Sequence, residues 1–359
     1  MGVGRVFLPR AQRVMGSCRR VVFGLVLLSG VISAGTLLTW LLASPVHRPA
    51  AAVLAMRPNT ALALLLLSAA LHQLCSGAGR RNERLVGVSA GLGTLIGSAT
   101  LGEYATGGDW GIDQIFIRVG IVDLGGPEPA RMAATSALAL TLLGGGMLAL
   151  LDGRRSGRAV RIWAGQVLAL VALAVVLVRL YGLIYDVPQL VRFGDDYAAM
   201  APQTAAAMAF LAVGIFFLRA DVGLAALLTA GTATALFARL TFAAAFLIPP
   251  ALGGLCLAGQ RAGVYGTEVG VALLVTANVV FLVGVCLGAS AVAGRVERAR
   301  LVAEVAGQRY RHLQTLMDHS PAAMFVKDLQ GRYLAVNERF VRMFAPGRPA
   351  LVEIGRAHV

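Results

Sequence analysis

Apolar residues run along this chain in eight long blocks, separated by short stretches rich in arginine, glycine and acidic residues. The blocks are Val21–Leu42, Thr60–Cys75, Leu85–Leu101, Met132–Leu151, Ile162–Tyr181, Gln203–Leu218, Leu240–Leu257 and Glu268–Val292. A bilayer core of about 30 Å takes roughly 20 apolar helical residues to cross, so the shorter blocks have soft boundaries. The pattern predicts a mainly α fold, a polytopic membrane helical bundle with about eight transmembrane helices. Leu224–Ala238 is apolar too, but Gly231 breaks it and Arg239 follows, so it is expected at the membrane interface. The first block is longer than the roughly 7–15 residues of a cleaved signal, which predicts an uncleaved span behind a basic tail over residues 1–20.

Beyond Val292 the pattern changes. Val292, Val296, Ala299, Ala303, Ala306, Tyr310, Leu313 and Met317 recur at alternating steps of four and three, the spacing of a parallel coiled-coil seam. The remaining faces carry Arg295, Arg298, Arg300, Glu304, Arg309 and Arg311. This predicts a linker helix over 294–317 and a homodimer through its seam, the alternative being a solvated helix with no partner. An alanine-rich seam holds a dimer weakly, which suits an element that shifts. Two β-prone runs follow, Ala322–Lys327 and Arg332–Val336, joined by Asp328-Leu329-Gln330-Gly331, a hairpin signal. Asn337 stands where a cap belongs, ahead of a short helix over Glu338–Phe344.

The order of these elements carries a resemblance. His319-Ser320-Pro321-Ala322, then Phe325-Val326-Lys327-Asp328 with Gly331-Arg332-Tyr333, then Val336-Asn337 with Phe340, resembles the opening of a PAS sensory domain. Asp328, Gly331 and Asn337 are the motif positions. The resemblance implies an α/β fold with a five-stranded sheet and small helices across one face. Residues 318–352 would supply its first two strands and first helix, an incomplete PAS domain. Glu353–Val359 matches one reading frame of a common sequencing-library adapter, so residues 353–359 read as an adapter artefact, the alternative being that Ile354-Gly355-Arg356 is native, as similar triplets follow the first helix of PAS domains.

Composition agrees with a membrane chain, at 57% apolar and 14% charged residues over 359 positions. The formal charge of +14 comes from arginines spread between apolar blocks, with no basic patch interleaved with aromatics, so no nucleic-acid partner is expected and the lipid bilayer is. Cys18, Cys75, Cys256 and Cys286 are far apart in sequence, which argues against a disulfide framework or a structural zinc site. Only His72 falls inside a block, so haem ligation has no support and no metal is expected. Arginines concentrate on one set of loops: Arg10, Arg13, Arg19, Arg20, Arg80, Arg81, Arg84, Arg154, Arg155, Arg158, Arg161, Arg219 and Arg239 against fewer on the other. The positive-inside rule then places both termini in the cytoplasm.

Within the region 21–293 a repeat is visible. Met56-Arg57-Pro58-Asn59-Thr60-Ala61, Met132-Ala133-Ala134-Thr135-Ser136-Ala137 and Met200-Ala201-Pro202-Gln203-Thr204-Ala205 each open alternate blocks, as expected of a duplicated two-helix unit. The outer loops are acidic. Glu103, Tyr104, Asp109 and Asp113, with Tyr185 and Asp186, are candidates for sensing a cation or cationic ligand, since oxygen ligands suit a hard divalent ion. Acidic decoration and interfacial aromatics explain the same residues more plainly. Among the polar residues inside blocks, Arg179 is expected to snorkel outward, and Gln166 and Asn278 to bond between helices. Gly87, Gly91, Gly93 and Gly97 are expected to allow close helix approach.

The Glu103–Gln114 and Leu180–Pro188 loops, taken with the Pro-x-Thr-Ala starts, look like an N-terminal multi-span region of bacterial PAS-containing sensor histidine kinases; Ala134 departs from it where the other copies have proline. That resemblance implies a membrane sensory input region in the bacterial inner membrane. No catalytic residue or cofactor is expected in this chain. ATP and Mg would belong to a kinase domain beyond it, and a response regulator would be that kinase's partner. The alternatives are the input region of a diguanylate cyclase or phosphodiesterase and, from another class, a small-solute transporter.

Overall fold

The computed structural model describes residues 4–42, 56–76, 80–112, 131–187, 199–230, 232–331 and 333–344. Its helices, numbered among those residues, are α1 (Gly4–Leu42), α2 (Pro58–Cys75), α3 (Arg80–Thr106), α4 (Ala134–Ser156), α5 (Ala159–Ile184), α6 (Pro202–Phe217), α7 (Leu224–Thr229), α8 (Ala233–Arg261) and α9 (Thr267–His319). A hairpin of β1 (Phe325–Lys327) and β2 (Tyr333–Val336) and a last helix, α10 (Glu338–Phe344), complete it. The fold is a helical bundle with a small two-stranded sheet near its C-terminal end. Among the described residues seven helices are long and apolar enough to cross a membrane, which makes this a membrane protein; α6, with 16 residues, is shorter.

The chain divides into two units, Met1–Val285 and Cys286–Val359. In the first, α1 packs on α2, α2 on α3, α3 on α4, α4 on α5, α5 on α6 and α6 back on α1, closing a ring. The helices α2, α4 and α6 also touch one another across its middle.

The repeat explains why. Counting from Met56, Met132 and Met200, the residues eight, eleven and fifteen positions on are Leu64, Leu67 and Leu71 in α2, Leu140, Leu143 and Met147 in α4, and Met208, Leu211 and Ile215 in α6. All nine, and the three methionines, are among the largest fully buried side chains. The spacing of three and four keeps them on one helix face, so each copy turns the same stripe inward. Between the stripes, small residues let backbones approach. A Cβ on Gly97 would lie 2.8 Å from the Ala137 carbonyl, and one on Gly165 would lie 2.7 Å from the Gly146 carbonyl. Gly93 faces Leu67 in the same way, whereas Gly91 faces open space, against the expectation for that position.

Several sequence expectations shift. The helix of the first block begins at Gly4 rather than Val21, so the basic tail is largely helical. The segment 224–238 is two pieces: α7 ends at Thr229, and Ala233 onward belongs to α8. The cause is Thr232, whose hydroxyl accepts from Ala235 N at 3.2 Å and starts the new helix. Arg179 does not snorkel; it is buried, and its Nε donates to the Met200 carbonyl at 2.5 Å. Asn278 bonds within its own helix, to the Leu274 carbonyl. Gln166 does bond across, donating to the carbonyls of Phe216, Arg219 and Val222 and accepting from Leu224 N. It ties the end of α6 to the start of α7.

In the second unit, the linker forms the latter part of α9, a single helix of 53 residues that begins in the last apolar block. The strands pair antiparallel, with Phe325 opposite Val336 and Val326 opposite Ala335, and a bulge before Lys327 opposite Tyr333. Residues 345–359, including the expected adapter segment, lie outside the described residues.

Candidate functional site

Two places concentrate polar chemistry, one at the starts of the repeated helices and one at the end of α9. At the first, each methionine that precedes a repeated helix leaves a carbonyl just outside the first turn. Each carbonyl receives a side-chain donor from the preceding helix of the ring. Trp40 Nε1 reaches Met56 O at 2.9 Å, Tyr104 Oη reaches Met132 O at 2.8 Å and Arg179 Nε reaches Met200 O at 2.5 Å. Three different side chains thus do one job in three copies, because a buried carbonyl without a donor is costly in a low-dielectric setting. Thr60, Ser136 and Thr204, four residues after each methionine, are buried as well.

Around the second copy lies an acidic and aromatic cluster. Glu103, fully buried near the end of α3, accepts from Trp110 N at 2.9 Å and faces Arg131 Nε at 3.7 Å. Arg131 also approaches Asp109 at 3.9 Å, donates to the Gly108 carbonyl at 3.1 Å and stacks over the Tyr104 ring at 5.4 Å. Asp109 closes its own turn by accepting from Gly111 N. The structure therefore gathers Glu103, Tyr104 and Asp109 with Trp110, and puts a guanidinium of the same chain between the two carboxylates. Buried carboxylates need such a partner, and Arg131 is the residue that sequence reasoning assigned no role here. Tyr185 and Asp186 bond elsewhere: Arg261 of α8 donates to both their carbonyls, at 2.6 and 3.1 Å, and Tyr185 Oη donates to the Pro250 carbonyl. Asp113 lies outside the described residues.

The other place is built on Asn337, which is fully buried. Its Oδ1 accepts from Phe340 N at 2.9 Å, capping α10, and from Met324 N at 2.9 Å ahead of β1. Its Nδ2 donates to the Met317 carbonyl in the last turn of α9 and to the Ala322 carbonyl, both at 2.8 Å. One amide thus joins the end of the long helix, the hairpin and the following helix. The hairpin turn is fixed by Asp328, which accepts from Gln330 N through its side chain and from Gly331 N through its carbonyl; Gly331 takes a positive φ of 78°. Phe325, Tyr333 and Phe340 pack as a trio with ring centroids 5.4–5.7 Å apart, and Lys327 Nζ lies 4.4 Å from the centre of the Tyr333 ring.

Along α9, Val292, Ala299, Ala303, Ala306 and Leu313 are exposed in the single chain, Val296 is half-buried and Met317 is buried near Asn337. Tyr310 shares the helix. Val302 and Val305 are exposed on other faces.

Comparison with known proteins adds one finding. Residues 311–356 match the family model of the PAS domain. No curated protein matches the chain, and no solved structure does. The PAS match, together with the apolar helices, gives the chain a signalling sensor role in a membrane.

Proposed function

We propose that this chain is the membrane-embedded sensory input region of a bacterial signal-transduction protein, of the type whose output is a sensor histidine kinase. A stimulus in the membrane or at the outer helix starts changes the packing of the ring. The last apolar helix moves, and its extension carries that motion to the PAS segment. The observation that supports this reading is the continuity of α9: one helix contains both the apolar block and the seam, and ends on the Asn337 amide. An unbroken helix transmits rotation or translation without the loss a flexible linker would introduce.

In this reading the chain lies in the inner membrane as a multi-pass protein with both termini cytoplasmic, as the arginine asymmetry supports. The exposed seam pairs with that of a second copy, so that the input is a homodimer. Glu103, Asp109 and Tyr104 respond to the stimulus through Arg131, the group that already bridges them. ATP, Mg and a response regulator belong to the kinase output. Reading the gene downstream of codon 359 tests the assignment. A histidine-bearing dimerisation helix followed by an ATP-binding domain is the expected result; a cyclase or phosphodiesterase module would replace the kinase, and a stop codon after Val359 would remove the kinase-input reading.

A further inference from the structure

The repeated stripe continues past the core. Eighteen residues after each methionine stand Leu74, Leu150 and Leu218, at the finishing ends of α2, α4 and α6. Here the three helices no longer close on one another. A cavity of about 290 Å³ opens, lined by these leucines together with Arg154 and Arg219. A second cavity of about 260 Å³ shares Leu74 and Leu218 and extends to Arg19, Val22, Phe217 and Asp221. Their size approaches the roughly 300–1,000 Å³ of small-molecule sites.

The charges at this end are unevenly satisfied. Arg155 pairs with Glu83, Arg161 with Asp152, and Arg219 makes two bonds to Asp221 at 2.9 and 3.0 Å. Arg19 donates its Nε to the Cys75 carbonyl at 2.9 Å. Arg154, by contrast, has no carboxylate or hydrogen-bond partner among the described residues. The helix carbonyls that would offset positive charge here are partly engaged already, by Arg19 at Cys75 and by Gln166 at Phe216 and Arg219. Leu74 and Leu218, which line both cavities, thus lie between Arg154 in the first and Arg19 in the second, and neither of these two guanidinium groups has a carboxylate partner among the described residues, Asp221 being bonded to Arg219.

We propose that these adjoining cavities bind a phosphate-bearing anion, gripped by Arg154 and Arg19, with an apolar attachment lying against Leu74, Leu150 and Leu218. Guanidinium groups match phosphate oxygens in geometry as well as charge. Basic pockets between membrane helices suit anionic headgroups for the same reason. A ligand here touches α1, α2, α4 and α6 at once and clasps the ring at the end where its own packing opens.

The test uses the full chain in phosphatidylcholine nanodiscs, with the thermal unfolding midpoint as readout. Phosphatidylglycerol is added to the discs in one arm, and inorganic phosphate to the buffer in the other. The midpoint is expected to rise with the lipid. Arg154→Gln is expected to shift that titration about tenfold or more toward higher lipid, as loss of a charge-assisted bond does. Its midpoint without anion stays at the wild-type value, because the residue is exposed and has no bonding partner among the described residues. Arg158→Gln, which removes the same charge from an exposed residue outside the cavities, leaves the titration in place. A response to phosphate as well as lipid supports the site with a free anion sufficient; a response to lipid alone supports it with the headgroup as ligand. No response in either arm, or an equal loss in Arg158→Gln, overturns the proposal.

Discussion

The helices α2 and α9 are both apolar enough to cross a membrane, and they end in opposite surroundings. The least hydrophobic of the spanning helices, α2 has 67% of its spanning window buried, whereas α9, among the most hydrophobic, has 6%. Lipid is as apolar as leucine, so hydrophobicity alone does not draw helices together within it. What draws α2 inward is its small and polar set, Asn59, Thr60, Ala61, Ala63, Ser68 and Ala70, all buried. What leaves α9 outside is a surface of branched residues such as Val271, Val275, Val279 and Val280, all exposed. Between these two helices hydropathy does not decide the packing, whereas the small and polar surface of one and the branched surface of the other follow it. The ring of α1–α6 is complete by itself, while α9 has an apolar surface that lipid or a second copy must cover. That division suits a sensor in which one part holds shape and another moves.

Glycine substitutions break the comparison most sharply. Gly165→Leu drives a side chain into the Gly146 carbonyl and Leu150, and is expected to cost about 1–3 kcal/mol or more. Gly284→Leu in α9 meets nothing within 4 Å and is expected to leave the monomer's thermal midpoint unchanged. Midpoints of the two variants in one detergent decide it; equal losses would show that α9 packs as tightly as the ring.

A smaller effect is expected at the end of α9. Asn337→Ala removes a cap and leaves buried groups of Met317, Ala322, Met324 and Phe340 without their partner, a loss of about 2 kcal/mol for that segment. Asn337→Asp keeps the acceptor for Met324 and Phe340 and loses only the donors to Met317 and Ala322. If the amide ties the helix to the hairpin, hydrogen exchange near Met317 accelerates in both variants, while α10 loosens only in the alanine variant.

Smaller again are the donors to the repeated carbonyls. Tyr104→Phe and Trp40→Phe each remove a bond to Met132 O or Met56 O, and the tyrosine change keeps the ring. Losses of about 0.6–1.5 kcal/mol are expected, read from unfolding of the purified chain.

The smallest lies outside the spans, at Asp221. The hydrogen bonds from Arg219 hold its carboxyl below the ordinary aspartate value of 3.8, against the opposing effect of burial. The pair therefore contributes its full stabilisation above that value and loses it as pH falls through the depressed one. Both side chains are partly exposed, so the contribution is below about 1 kcal/mol. An Asp221→Asn chain should show a flatter midpoint-against-pH curve below that value than the wild type.

Much of this was legible in the chain. The eight apolar blocks fall on helices, the Met-x-x-x-[Thr/Ser]-Ala starts mark the three inner ones, and Asn337 caps the helix it precedes. The repeat was longer than it looked. Its fully buried positions run to the fifteenth residue, but Leu, Met and Ile exchange there, so only the polar start stood out. Pairing was not legible. Nothing local to Arg131 says that it neutralises Glu103, 28 positions earlier, or that Arg179 turns inward to the Met200 carbonyl rather than outward to water. Both are decided by which helix lies opposite, and a single sequence carries the period of a helix without its neighbour.

The central claim, that α9 pairs along one seam and carries motion to the PAS segment, is tested most directly by disulfide scanning. Single cysteines are placed from Val296 to Leu313 in a chain whose four native cysteines are replaced, and crosslinked in membranes. The account predicts dimer maxima at Val296, Ala299, Ala303, Ala306, Tyr310 and Leu313, with minima between them. A flat profile, or maxima at Val302 and Val305, would contradict it.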